Sequence, residues 1–269
     1  MEVGLLGPLV VEEQGLSVVP SAHKPRKVLA LLALHADRIV TVPMLMEEVW
    51  GDSAPRSAAT TLQTYILQVR RMIEAALHSD PDRQAKDVLV THHGGYLLEV
   101  QPGWSDVMEF NRLVEAGRRA FELGDDRSAS HLMGRALELW RGAALVDIQL
   151  GRLLELEVLG LEETRMSALE LRIEADLRLG RHSELIGELR VLTARHPMQE
   201  NLCMQLMLAL YRSGNGSRAL EVFHTLRKTL TEELGIEPSA RVQRMQQAIL
   251  CGDPGLDVAP DVAGKRLPV

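Results

Sequence analysis

Five residues along one stretch, Ser57, Thr60, Thr64, Gln68 and Arg71, have the types that read a nucleic-acid groove. Short hydroxyls let a helix approach a duplex closely, and Gln or Arg reaches base edges or phosphates. Arg56 stands at the entrance to the stretch and Arg70 on its flank. Spacings near three and four put such residues on one side of a helix. The other side is supplied by Ala59, Leu62, Ile66, Val69 and Ile73, a single apolar stripe that predicts a helix from Ser57 to about Leu77. An ordinary solvated helix face carries the same residue types, so the helix alone leaves both readings open.

The segment that follows favours the groove. Val88–Thr91 and Tyr96–Val100 alternate as strands, joined by His92-His93-Gly94-Gly95. Gly-Gly supplies the positive φ of a tight hairpin. A polar hairpin directly after a polar-faced helix is the arrangement of a winged helix, with the tip available to a minor groove or a phosphate. Adjacent strand residues point to opposite faces and no third ligand stands nearby, so His92 and His93 do not make a metal site. Tyr96 is expected to pack against the hairpin base.

Upstream, Val3–Glu12 and Leu16–Val19 read as short strands broken by Gly7-Pro8 and Gln14-Gly15. A first helix runs from about Lys24 to Ala36, and Lys24, Arg26 and Lys27 near its start form a second basic cluster suited to phosphates. A second helix starts at Thr41, an N-cap residue with Pro43 just inside, and ends at Trp50-Gly51.

Charge opposes this reading. The chain carries −7 overall, and residues 1–104 hold nine Lys/Arg against twelve Asp/Glu. Net charge governs solubility and non-specific binding, whereas local clusters decide where phosphates sit. The expectation is modest non-specific affinity and reliance on cooperative partners. Cys203 and Cys251 match no ligand spacing, and Cys203, in an apolar stretch, reads as a small buried hydrophobe. No apolar run approaches a membrane span and no basic-then-apolar leader appears. The expected location is the cytoplasm, on the nucleoid, with no membrane partner.

From about residue 106 the chain reads as nearly all helix. A glycine with a small or apolar residue five positions on recurs as Gly124/Ala129, Gly180/Leu185 and Gly214/Ala219. The last two glycines are 34 residues apart, the period of a tetratricopeptide helical hairpin. Residues 142–151 interrupt the first period, and Leu153–Leu179 reads as a long helix or a broken pair. The domains expected are 1–104, 105–252 and a disordered tail over 253–269. No catalytic constellation, P-loop or metal-ligand set appears, so no enzyme and no cofactor is expected. The Glu162-Glu163 pair beside Arg165 reads as a charged helix face.

Ordered short motifs run through both halves. They include Leu5-Leu6-Gly7-Pro8-Leu9, Lys24-Pro25-Arg26-Lys27, Leu45 to Trp50, Thr61-Leu62-Gln63-Thr64-Tyr65, Arg70-Arg71, Gly95-Tyr96 and Asp106…Phe110. In the second half they continue with Trp140-Arg141-Gly142, Leu161–Arg165, Leu179–His182, Pro197…Glu200, Leu210-Tyr211…Gly214 and Leu234–Pro238. Over about residues 3–252 the chain resembles the Streptomyces antibiotic regulatory protein family. The resemblance implies a mainly α fold with small β content: an OmpR-type winged helix-turn-helix, then an all-α, tetratricopeptide-like bacterial transcriptional activator domain.

It also implies an activator of an antibiotic cluster, of the small kind that switches on aromatic polyketide pathways. By the same resemblance, two copies would bind promoter direct repeats side by side and head to tail and recruit RNA polymerase through its sigma factor, with other subunits as further contacts. Many members carry Arg where this wing has His92-His93. Neutral His holds phosphate less well, which predicts tighter DNA binding as pH falls toward about 6. A protein-interaction adaptor with a degenerate winged helix, or a repressor using the same contacts, fits the same residues.

Overall fold

In the computed structural model, residues 1–77, 83–100 and 103–257 are described. They divide into two compact units, one made of the described residues within 1–116 and 134–168, the other of those within 117–133 and 169–257. Residues 258–269 of the expected tail lie outside the described residues, and Pro254–Leu256 just before them forms a 3-10 turn.

In the first unit, β1 (Glu2–Gly4), β2 (Val10–Glu13) and β3 (Leu16–Ser17) form an antiparallel sheet. A fourth strand, Trp104–Ser105, adds to β1 in parallel. Three helices follow the meander: α1 (His23–Leu34), α2 (Val42–Trp50) and α3 (Ala58–Ala76). Thr41 caps α2 through a side chain that accepts from Met44 N at 3.4 Å, with Pro43 in the first turn. The buried stripe of α3 is Ala58, Leu62, Ile66, Val69, Ile73 and Ala76. Ala59, expected inside, is exposed. The turn at Pro55, whose carbonyl accepts from Ala58 N, starts the helix so that Ala58 faces the core.

The short helix α4 (Ala85–Val88) leads into the wing strands, β5 (Leu89–His92) and β6 (Gly95–Leu98), with β4 (Val40–Thr41) on the outer edge of β6. The turn is His93-Gly94, and only Gly94 takes positive φ, at +77°. Gly95 is needed for a different reason: a Cβ there would sit 2.5 Å from the Val40 carbonyl oxygen of the paired strand. Tyr96 is buried, as expected.

Residues assigned by sequence to the helical half complete this unit. The buried Asp106 carboxylate accepts from the backbone N–H groups of Leu5 at 2.8 Å and Leu6 at 2.9 Å. Arg141 donates to Asp106 at 3.2 Å, and its own N–H donates to the Leu6 carbonyl at 2.7 Å. Glu48 of α2, 1% exposed, accepts from Gly151 N at 2.6 Å and from Leu153 N and Leu154 N at 3.0 Å. That carboxylate caps α7 (Arg152–Arg178), because the first N–H groups of a helix lack partners within it. A Cβ on Gly151 would meet the Glu48 carbonyl oxygen at 2.3 Å. Leu145, Ile148 and Leu154 share one buried cluster with Leu5, Leu29 and Leu62.

The glycine repeats lie in the second unit. Gly124, Gly180 and Gly214 have φ of +78°, +81° and +77° and follow α5 (Asp106–Glu122), α7 and α9 (Glu200–Arg212). Each turn closes with the same pair of backbone bonds: Gly214 N donates to Tyr211 O and Asn215 N to Leu210 O, both at 2.9 Å, with counterparts at the other two. That is the bonding of a left-handed helix C-terminus, which glycine takes without steric cost. The residues five positions on, Ala129, Leu185 and Ala219, are all buried on the next helix. Those helices are α6 (Asp126–Glu138), α8 (His182–Arg195) and α10 (Gly216–Leu234), and α11 (Ala240–Cys251) ends the series. Of the stretch Leu153–Leu179, all but Leu179, which starts the turn at Gly180, belongs to the single helix α7 rather than to a broken pair.

Candidate nucleic-acid interface

Core packing of α3 against α1 and α2 turns the opposite side of α3 to solvent. Ser57, Thr60, Thr64 and Arg71 are exposed there, and Gln68 is half-buried at the margin. Gln63 and Leu67 share the exposed side, Leu67 at 48% exposed. Neither stands among the groove residues expected from the sequence, although Gln63 falls one residue before Thr64 and Leu67 one turn beyond it. A leucine in the middle of a polar face is apolar area of the kind that packs on a thymine methyl group. The Thr64 hydroxyl donates back to the Thr60 carbonyl at 3.2 Å, which keeps it close to the helix and the face low.

The basic residues separate by role. Arg56 and Arg71 are exposed and make no ion pair among the described residues. Arg70, one position from Arg71, turns to the flank and ties α3 to the wing. Its Nε and Nη2 donate to the Leu89 carbonyl at 3.0 and 2.5 Å, and Nη2 also donates to the Thr91 hydroxyl at 2.7 Å. Arg26 pairs with Asp147, whose other oxygen accepts from Leu9 N at 2.8 Å, so its charge is spent inside the unit. Lys24 is exposed, with its ammonium 5.4 Å from the Trp50 ring centre. Trp50 in turn stacks on Tyr65 of α3 at 6.0 Å between ring centres. His92 and His93 are exposed at the hairpin tip.

Several acids of the N-terminal region are likewise buried or engaged in hydrogen bonds within the unit. Glu13 and Glu48 are buried, and Asp37 accepts from Val100 N at 2.9 Å. Glu74, on the exposed side of α3, accepts from Ala85 N at 3.0 Å. The negative sum therefore says little about the face that carries Arg56 and Arg71. Among the described residues no group of His, Cys, Asp and Glu is placed to hold a metal, and no helix is long and apolar enough to cross a membrane.

Residues 17–98 match the family profile described as transcriptional regulatory protein, C terminal, and residues 105–250 match that of the bacterial transcriptional activator domain. The chain is 57% identical to regulatory protein DnrI of Streptomyces peucetius, over 96% of this chain and 94% of that one. It is 36% identical to transcriptional regulator RedD of Streptomyces coelicolor, over 96% of this chain and 73% of RedD. A solved structure of Mycobacterium tuberculosis EmbR in complex with a low affinity phosphopeptide superposes with a TM-score of 0.86 at 31% identity. It covers 94% of this chain and 65% of EmbR.

Proposed function

The chain belongs to the Streptomyces antibiotic regulatory protein family of transcriptional regulators, and from that membership we propose that it is a sequence-specific activator of an antibiotic gene cluster. The observation that carries the reading is the division of labour between adjacent arginines: Arg70 fixes the wing to α3 while Arg71 stays free on the face. In this reading α3 enters the major groove. Ser57, Thr60, Thr64, Gln68 and Arg71 approach base edges, and Arg56, Lys24, His92 and His93 hold the backbone. Arg26 and Arg70 act as positioning residues.

Two copies lie head to tail on direct repeats, a heterologous arrangement that one two-fold interface does not make. The helical unit supplies surface for the neighbouring copy and for RNA polymerase and its sigma factor. The protein then works in the cytoplasm, on the nucleoid.

DNase I footprinting on DNA upstream of the neighbouring biosynthetic operon tests the reading, followed by transcription with purified polymerase. Protection of two direct repeats about one helical turn apart, with stimulated transcription, is the expected result. No footprint at any concentration leaves a protein-interaction adaptor, and protection with reduced transcription makes the protein a repressor.

A further inference from the structure

The second unit contains a cleft of about 440 Å³ between the C-terminal part of α7, α9 and α11. Its floor is apolar, built from Leu177, Met204, Leu208, Met245, Ala248 and Leu256. Four arginines line it, Arg178, Arg212, Arg241 and Arg244, against one carboxylate, Glu174. That carboxylate is already taken, accepting from Arg178 at 2.8 Å, and Arg178 also pairs with Asp126.

The other three arginines are differently placed. Arg212 is part-buried, and its hydrogen bonds go to neutral carbonyls, from Nε to Leu256 O at 2.6 Å and from Nη1 to Leu177 O at 2.9 Å. Burial pushes its pKa below the usual guanidinium value, with Asp257 pulling the other way. Burial, followed by the charge of Arg212, likewise lowers the His182 imidazole. Arg241 and Arg244, one turn apart on α11, are exposed and make no ion pair among the described residues. Gln205, 6% exposed, also lines the cleft. Its amide nitrogen donates to Glu170 O at 2.9 Å, while its buried Oε1 has no partner among the described residues.

A part-buried cation with no carboxylate in its hydrogen bonds and two free arginines beside an apolar floor form one pattern complementary to an anion with an apolar body. We propose that this cleft binds a small anionic amphiphile, with its apolar body on the Met204–Met245 floor and its anionic group on Arg241 and Arg244. The volume falls in the range that encloses small ligands, roughly 300–1,000 Å³. A partner helix instead engages a groove through anchors spread over two or more turns. All residues lining the cleft belong to the second unit, whereas α3 and the wing belong to the first.

Calorimetric titration of the full chain with decanoate below its micelle concentration tests this, with decylammonium as the cation of equal chain length. The expected result is one decanoate per chain and binding of decylammonium weaker by about tenfold or more, the scale of one charge-assisted hydrogen bond. Arg241→Glu/Arg244→Glu removes the preference for the anion. Ala248→Phe, which fills the floor, weakens both probes while circular dichroism stays unchanged. Should the charge-reversed chain lose helicity, Arg241→Gln/Arg244→Gln replaces it. Equal affinity for the two probes, or anion binding untouched by these substitutions, overturns the proposal. So does an acidic amphipathic peptide that binds where decanoate does not.

Discussion

Neighbouring residues on a helix are about 100° apart, so Arg70 and Arg71 lie in different surroundings despite their adjacency. Arg71→Ala removes an exposed cation and is expected to weaken DNA binding. Its salt slope falls by about one contact if Arg71 meets a phosphate, or base preference relaxes if it meets a base. Unchanged affinity and slope in a mobility-shift titration at several salt concentrations would remove Arg71 from the interface. Arg70→Ala breaks three hydrogen bonds to β5, which predicts a loss of about 1–3 kcal/mol in denaturant unfolding, a cost that Arg71→Ala does not share. Equal stability of the two variants contradicts the wing-tether role. The cysteines divide in the same way by surroundings. Burial, and then the charge of Glu200, pushes the Cys203 thiol up to about 11, whereas Cys251 is exposed. The thiolate is the reactive form, so at pH 8 iodoacetamide is expected to label one thiol per chain quickly, at Cys251. Cys203 labelling becomes fast only as pH rises toward about 11 or on unfolding, and two equal rates at pH 8 would show Cys203 to be open.

The elements differ in how much of themselves they write into the sequence. The helical hairpins are local: the glycine that turns positive and the small or apolar residue five positions on lie within one turn and its next helix, so each is readable directly, as is the 34-residue spacing of Gly180 and Gly214. The stripe of α3 is also local, and only its first member shifts, because the choice between Ala58 and Ala59 depends on the turn at Pro55. The cap of α7 is different. Glu48 stands 103 positions from Gly151 and reads in sequence as an ordinary helix carboxylate on α2. The roles of Arg26 and Asp147, 121 positions apart, are hidden for the same reason. Glu48→Ala leaves three buried or part-buried N–H groups without their acceptor, and an expected loss of about 2 kcal/mol or more follows. Guanidinium unfolding of the full chain measures it, and a change under about 0.5 kcal/mol means that α7 finds another cap.

At the scale of the molecule, the composition changes near residue 104, where strand-like alternation gives way to helix, but packing does not divide there. The N-terminal strands have no carboxylate of their own for Leu5 N and Leu6 N, and they take it from Asp106. The Leu6 carbonyl is satisfied by Arg141, and the Leu5 carbonyl accepts from Leu145 N at 3.1 Å. Leu145, Ile148 and Leu154 fill the same core as the three winged-helix helices. A fragment of residues 1–104 would therefore expose part of that core and leave buried N–H groups unpaired, each costing about 1–3 kcal/mol. The expected outcome is that residues 1–104 unfold at a distinctly lower guanidinium concentration than residues 1–168, and bind operator DNA more weakly at equal concentration. Restoring residues 105–168 with Asp106→Asn should recover only part of the difference, because the core is refilled while the charge on the Leu5-Leu6 amides is lost. Equal midpoints for the two fragments would mean that the winged helix is self-sufficient and that the Asp106–Arg141 contacts add order without stability.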